Sequence, residues 1–373
     1  MNQGARHRPG ALVQVRLLPP FPDRCKQIDE SQGMRSTKLP REYRATMMPR
    51  LLAAVALLLC TACGEAPSSA SGPKRLRVQL DWVPEPEFGG LYAAQQDGLF
   101  AAAGLTVEII KGGAGTPTPQ LTADGVCDIG LMSADQLLQL RARDGALVGF
   151  YATFIDTPYA LMAHGANPAQ SLEQLWTGGG TIAVEPGLPY VRLLQAKYGQ
   201  EKAKFVTYNG SLSLFESDPM AATQCFATAE PVTMKLKGVA CKSFSLREIY
   251  NPYVAVYATT ESMLASREAD LRAFVGALKE GWSRYLAEPA KYNPAIAAMN
   301  PSMSLEAMNT AAELERPLIA PGGNASLGRM EAARWQAVLD ALIETKQLSK
   351  PQDVSAAFRN LEPSAPAASM PAP

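Results

Sequence analysis

The chain has 373 residues, and 35 Lys and Arg are balanced by 35 Asp and Glu. The first 62 residues hold 10 of the basic and 4 of the acidic residues, so the remainder carries 25 basic and 31 acidic residues, a net charge of −6. That sign argues against a nucleic-acid surface, because phosphate backbones attract basic surfaces.

The N-terminal region has the features of an export signal preceded by extra residues. Residues 1–46 show no sustained apolar period and are predicted to be a non-native extension, with the natural start at Met47 or Met48. A basic residue, a short apolar run and small residues predict a signal peptide over residues 47–62, and the run is too short to span a bilayer.

The end of that signal resembles the bacterial lipoprotein cleavage box. Ala62 precedes Cys63, which the resemblance makes the lipidated first residue of the mature protein, although Cys60 stands where Leu is common. Plain secretion is the alternative. Residues 63–74 are predicted to be a flexible tether and residues 362–373 a disordered tail, and about 290 residues remain, enough for two lobes.

Strands and helices alternate through the folded part. Hydrophobic patterning predicts strands at 76–80, 105–110, 127–131, 147–154 and 181–184. It predicts helices after most of them, including one over 133–143 that Ser133 caps. This alternation is typical of an α/β fold with mainly parallel sheets covered by helices. Later aromatic stripes that contain Trp282 and Trp335 are predicted to be core.

The first candidate site is the turn that follows the strand at 76–80. Pro84 and Pro86 stop this strand, so Trp82 sits at its carboxyl end, just before a helix. Ligands bind at that edge of open α/β sheets, and an indole stacks on a planar ring or a cation. The alternative is a tryptophan that caps the core.

Two further segments place a turn and a helix start after a strand. Glu185, Gly187 and Tyr190 lie where backbone N–H groups could face an anion or a carbonyl, and a purely structural turn is the alternative. Glu230 could accept hydrogen bonds from ligand N–H groups or cap its helix.

Cysteine and histidine usage predicts no metal site. Cys225 and Cys241 are near enough in sequence to form a disulfide in an exported protein, and two buried thiols are the alternative. Their spacing does not match a zinc site, and His164 is the one histidine after the signal.

Several motifs together resemble the thiamine-pyrimidine family of periplasmic binding proteins. They are QLDWVP (79–84), GLYAA (90–94), DGLF (97–100), GLTV (104–107), GVCDIG (125–130), EPG (185–187), AEP (229–231) and YNPY (250–253). The resemblance implies a two-lobed type II periplasmic binding protein fold with a ligand cleft between the lobes. Lobe one would comprise 75–162 and 255–361, and lobe two 163–254.

That family implies a monomeric, lipid-anchored binding protein of an ABC importer, in the periplasm or on the outer face of the cell envelope. It would need no cofactor and would deliver a pyrimidine precursor of thiamine, or a similar heterocycle, to a permease and its ATPase. Relatives that bind taurine, alkanesulfonates or nitrate supply the alternative ligands. The predicted ligand-binding residues are Trp82, Glu85, Phe88, Glu185, Gly187, Tyr190, Glu230, Asn251 and Tyr253.

Glu85 bears on the choice between these ligands, because the resembling motif leads us to expect Asn there. A carboxylate that lines the cleft would disfavour sulfonate or nitrate and suit an N–H-rich ring.

Two remoter functions stay open. A ligand-sensing lipoprotein would have the same sequence features. A fungal pyrimidine synthase shares the superfamily, but its pyridoxal-binding lysine aligns with Met132, its sacrificial histidine with Gln136 and its iron-binding cysteines with 249–253. Without the lysine no Schiff base forms, and without thiolates or imidazoles iron has few ligands, so no enzyme activity is predicted.

Overall fold

The computed structural model describes residues 74–200 and 202–363, which form two five-stranded sheets flanked by helices. The predicted extension, the signal peptide, the lipidation site at Cys63 and nearly all of the predicted tether and tail lie outside these residues. Within them, no helix combines the length and the apolar character needed to cross a bilayer.

The first sheet belongs to lobe one. Its strands are β1 (Lys74–Gln79), β2 (Leu105–Ile110), β3 (Ile129–Met132), β4 (Leu147–Phe154) and β10 (Val254–Thr260). They lie in the order β2-β1-β3-β10-β4, and β10 runs antiparallel to both of its neighbours.

The second sheet belongs to lobe two and repeats this plan. Its strands are β5 (Tyr159–His164), β6 (Thr181–Val184), β7 (Lys204–Thr207), β8 (Ala221–Phe226) and β9 (Cys241–Ser245). They lie in the order β7-β6-β8-β5-β9, and β5 runs antiparallel to both neighbours. Four of five strands therefore share a direction in each sheet, as the predicted α/β class requires.

Helices cover both sheets. In lobe one they are α1 (Gly89–Gln96), α2 (Leu99–Ala102), α3 (Thr118–Ala123), α4 (Ala134–Arg141), α9 (Glu261–Ser266), α10 (Glu268–Ala287), α11 (Pro289–Met299), α12 (Leu305–Ile319) and α13 (Ala332–Glu344). In lobe two they are α5 (Leu172–Thr177), α6 (Pro189–Tyr198), α7 (Ser213–Ser217) and α8 (Glu230–Leu236).

The chain crosses between the lobes twice, before β5 and before β10. In each lobe the strand that follows a crossing is the antiparallel one. The first predicted boundary, between residues 162 and 163, is wrong because all of β5 pairs with β8 and β9 in the second sheet. The apolar run of β5 does not reveal which sheet it joins, since pairing partners lie far away in sequence.

Most predicted elements are confirmed. The strands at 105–110, 147–154 and 181–184 have the predicted bounds, and Ser133 caps α4 in a capping box with Gln136. Trp282 and Trp335 are fully buried, as core residues are.

Close helix packing fixes the turn that carries Trp82. A Cβ at Gly90 would lie 2.2 Å from Trp282 Cγ, and one at Gly281 would lie 2.2 Å from the Gly90 carbonyl oxygen. Only glycine allows α1 and α10 to approach this closely. The turn between β1 and α1 is therefore held against the core of lobe one while its exposed side faces lobe two.

Candidate ligand-binding site

A cavity of about 610 Å³ lies between the two lobes. Lobe one lines it with the turn after β1, the loop before α3 and one face of α4, and lobe two lines it with the turns after β6, β7 and β8. Most of these segments follow the carboxyl ends of strands, which is where open α/β sheets bind ligands. The volume is typical of small-molecule sites.

The turn after β1 first continues the pairing of that strand with β2 and then leaves the sheet. The Leu80 amide donates to the Ile110 carbonyl (2.9 Å) and the Gly112 amide to the Trp82 carbonyl (3.1 Å). Pro84 and Pro86 then end the pairing, and a short 3₁₀ helix over Pro86–Phe88 leads into α1. These contacts leave the Trp82 indole half-buried on the wall of the cavity.

Trp82 faces an aromatic partner from the opposite lobe. Its ring lies nearly parallel to that of Tyr208, with 6.2 Å between centroids and 10° between planes. A ring stacked on both faces needs about 7 Å, two stacking distances of ~3.5 Å each. The 6.2 Å separates the two centroids, so a planar group bound between the rings requires the lobes to move apart.

Tyr208 is not among the predicted residues, although it follows the carboxyl end of β7 and precedes Asn209 and Gly210. That strand-and-turn pattern could have identified it.

The aromatic pair also borders a second, smaller cavity of about 210 Å³. Glu85 and Glu230 line both cavities together with Trp82 and Tyr208. The cleft is thus divided into two chambers, with two aromatic and two acidic side chains at the division.

The cavity is acidic. Five carboxyl groups line the larger chamber, and none of its lining residues, all within the described chain, is Lys, Arg or His. They are Asp81, Glu85, Glu87, Glu185 and Glu230. An anion placed here would meet no basic side chain among the described residues.

Burial raises the pKa of the carboxyl groups that lobe one contributes. The pKa of Asp81 rises to about 6, mainly through burial. The pKa of Glu85 rises to about 8 because burial and the nearby Glu230 outweigh a hydrogen bond from Asn300 Nδ2 (3.2 Å). The pKa of Glu87 lies well above its usual range through burial first, and then through Asp81 and Glu85.

Glu230 is held by hydrogen bonds within lobe two. Its Oε2 accepts from the Phe226 amide (2.8 Å) and its Oε1 from Tyr208 Oη (3.2 Å). Burial still raises the pKa of Glu230. The residue thereby positions Tyr208 opposite Trp82 while it begins helix α8.

Glu185 links the lobes across the cavity. Its Oε1 accepts from the Gly115 amide of lobe one (3.2 Å), and its Oε2 accepts from Gln224 Nε2 (3.1 Å). Gly187 and Tyr190, both predicted ligand-binding residues, also line this wall.

Three predicted ligand-binding residues do not line either cavity. Phe88 is fully buried in the core of lobe one, because its 3₁₀ helix turns the ring away from the cleft. Asn251 joins the two crossings: its Oδ1 accepts from the Thr157 amide (2.8 Å) and its Nδ2 donates to Asp156 (3.0 Å). Tyr253 is buried beside Trp335, and its hydroxyl accepts from the Glu331 amide (2.8 Å).

Cys225 and Cys241 are unbridged, which excludes the disulfide that the sequence left open and agrees with its alternative of two thiols. They lie on β8 and β9, on either side of β5, where Cys225 pairs with Ala160 and Cys241 with His164. Two strand spacings alone separate them by roughly 10 Å, and a disulfide needs Cα atoms within about 7 Å. The two cysteines are therefore unbridged thiols.

Two lobes joined by two crossings around a cleft define the architecture of a periplasmic binding protein. Residues 85–292, more than half of the chain, match the family described as NMT1/THI5 like. The chain belongs to that family, which confirms the resemblance found in its motifs.

Individual relatives are distant. The riboflavin-binding protein RibY of Chloroflexus aurantiacus is 23% identical over 345 residues, covering 82% of this chain and 94% of that protein. The alkanesulfonate-binding protein SsuA of Xanthomonas axonopodis, solved with MOPS, is 15% identical with a TM-score of 0.61 over 78% of this chain and 100% of its own. The desulfurization enzyme DSZB shares the fold less closely, with 14% identity and a TM-score of 0.51 over 76% of this chain and 96% of its own.

Proposed function

We propose that this protein is the substrate-binding component of an ABC importer and captures a small N–H-rich heterocycle, such as a pyrimidine precursor of thiamine. The observation that carries the proposal is the pairing of Trp82 and Tyr208 from opposite lobes across an acidic cavity. The aromatic faces would stack on the ring, and carboxyl groups would accept hydrogen bonds from ring and amino N–H groups. Closure around the ring would then present the loaded form to a permease.

Sulfonates and nitrate are poor candidate ligands, because the side chains that line the cavity are acidic and not basic. Glu85 lines both chambers, where its Oε1 accepts a hydrogen bond from Asn300 Nδ2 (3.2 Å). No basic side chain among the described residues lines the cavity, so none would balance the charge of a bound anion. The likeness to SsuA therefore concerns the fold and does not extend to its ligand.

A larger heterocycle is the second candidate. The two chambers hold about 610 and 210 Å³, which exceeds what a single pyrimidine ring fills. The additional volume and the similarity to RibY both favour a fused-ring ligand such as riboflavin.

We also propose that the protein binds its ligand without catalysing a reaction. The family resemblance aligns Met132 and Gln136 with the catalytic lysine and histidine of the related synthase. The Gln136 side-chain oxygen accepts from the Ser133 amide (3.0 Å). Gln136 thus serves helix capping, and no Schiff base can form at Met132. We also propose a monomer held by a lipid at Cys63 in the cell envelope, with the permease and its ATPase as partners.

Titration calorimetry with hydroxymethylpyrimidine, formylaminopyrimidine, riboflavin, taurine and nitrate tests the proposal. Stacking of a base on an aromatic side chain is worth about 1–3 kcal/mol, so Trp82→Ala and Tyr208→Ala should each weaken heterocycle binding roughly 5–150-fold.

Tyr198→Ala is the matched control, because Tyr198 ends α6 outside the cavity and its loss should leave affinity unchanged. Binding of taurine or nitrate alone, or full affinity in Trp82→Ala, would refute the proposal.

A further inference from the structure

The acidic wall of lobe one contains a carboxyl group without a partner. Glu87 is only 5% exposed and lines the larger chamber, yet it has neither a hydrogen bond nor an ion pair among the described residues. A buried polar group in that state is costly, and such groups in folded proteins normally have partners. The missing partner is therefore expected to arrive with the ligand.

A second unpartnered oxygen lies in the same wall. Asp81 Oδ1 is buried and has no hydrogen-bond partner in the part of the chain that the structure describes, and Asp81 also lines the chamber. The aromatic pair of Trp82 and Tyr208 borders the same space, and aromatic faces attract cations. The unpartnered carboxyl groups and the aromatic pair are independent observations, and both favour a positively charged ligand.

We propose that the ligand of this cleft carries a positive charge on a planar group, of the amidinium, guanidinium or protonated aminoheterocycle class, which Glu87 and Asp81 bind while Trp82 and Tyr208 stack on it. The inference rests on the proposed function, because it specifies the charge of the captured heterocycle. A metal ion fits less well, since the described residues contain no cluster of three or more His, Cys, Asp or Glu arranged to hold one.

The groups around Glu87 also fit a positively charged ligand. The titratable groups around Glu87 are Asp81 and Glu85 on its own segment, Glu315 on α12, Tyr257 on β10 and Glu230 from lobe two, and none of them is basic. Burial, and then the neighbouring acids, raise the pKa of Glu87 well above its usual range, which favours its protonated form in the absence of a ligand. A bound cation favours the ionised form, so the proton passes to the buffer as the ligand binds.

The test uses matched aromatic probes that differ in charge: benzamidine against benzamide, phenylguanidine against phenylurea, and thiamine against thiochrome. Calorimetry with the full chain at low salt should show the cationic member binding at least tenfold more tightly in one or more pairs. Glu87→Gln should reduce that preference at least tenfold. The apparent binding enthalpy should change with the ionisation enthalpy of the buffer, which reports proton release. This dependence should shrink in Glu87→Gln if the proton leaves Glu87, and should stay unchanged if Glu87 is merely structural.

Glu344→Gln is the control, because Glu344 is exposed on α13 and lines neither chamber. Failure of every cationic probe to bind, or equal affinity within each pair, overturns the inference. If neutral heterocycles bind in a Trp82-dependent manner while the cations fail, the inference is wrong and the proposed function stands. If taurine or nitrate alone binds, both are wrong.

Discussion

Replacing Glu85 by Gln should stabilise the ligand-free protein at neutral pH. Burial and the nearby Glu230 raise the pKa of Glu85 from 4.5 to about 8, so the folded protein holds a proton there that the unfolded chain releases. For a raised pKa, the stabilising contribution is complete below pH 4.5 and is lost as pH rises towards 8. Gln resembles the protonated form and needs no proton.

The size of the effect follows from linkage. Each pH unit between the unfolded and folded pKa values costs about 1.4 kcal/mol of folding free energy. At pH 7 the Glu85→Gln variant should therefore be more stable by about 3 kcal/mol at most. Neighbouring acids share protons with Glu85 and reduce the observed gain.

Urea unfolding of the ligand-free protein at pH 5, 6, 7 and 8, followed by tryptophan fluorescence, measures this effect. The gain in Glu85→Gln should grow with pH and nearly vanish at pH 5, whereas Glu344→Gln, an exposed control on α13, should follow the wild type at every pH. A Glu85→Gln variant with the wild-type stability and pH slope would refute the assignment of a half-buried, protonated carboxyl group to this position.

Two further substitutions separate core and hinge roles from ligand binding. Phe88→Ala should lower the free energy of unfolding by about 3–5 kcal/mol, because Phe88 is fully buried; unchanged stability in urea unfolding would contradict its place in the core. Asn251→Ala should leave the Asp156 carboxylate and the Thr157 amide without their shared partner and cost about 1–3 kcal/mol; a loss of ligand affinity with no loss of stability would instead indicate that Asn251 contacts the ligand.

Local sequence signals locate the cleft but not the direction of every side chain. Trp82 and Glu185 are predictable because each follows a strand that ends in a proline-containing turn. The prediction for Phe88 is wrong because the direction of its ring depends on how closely α1 packs against α10, and those helices are almost 200 residues apart in sequence.

The acidity of the cleft is also only partly visible in the sequence. Glu85 is identifiable through its departure from the family motif, whereas Glu87 and Asp81 are not, because burial without a partner is a property of the assembled wall. Tyr208 contacts the site from the other lobe, and sequence alone does not pair residues across two lobes.

A crystal structure of the protein with the heterocycle that binds most tightly tests the central claim directly. We predict that the ring lies between Trp82 and Tyr208, about 3.5–4 Å from each face, with its N–H groups directed at the carboxyl groups of lobe one. A ligand bound outside the cleft, or bound inside it without contact with either aromatic ring, would contradict the claim.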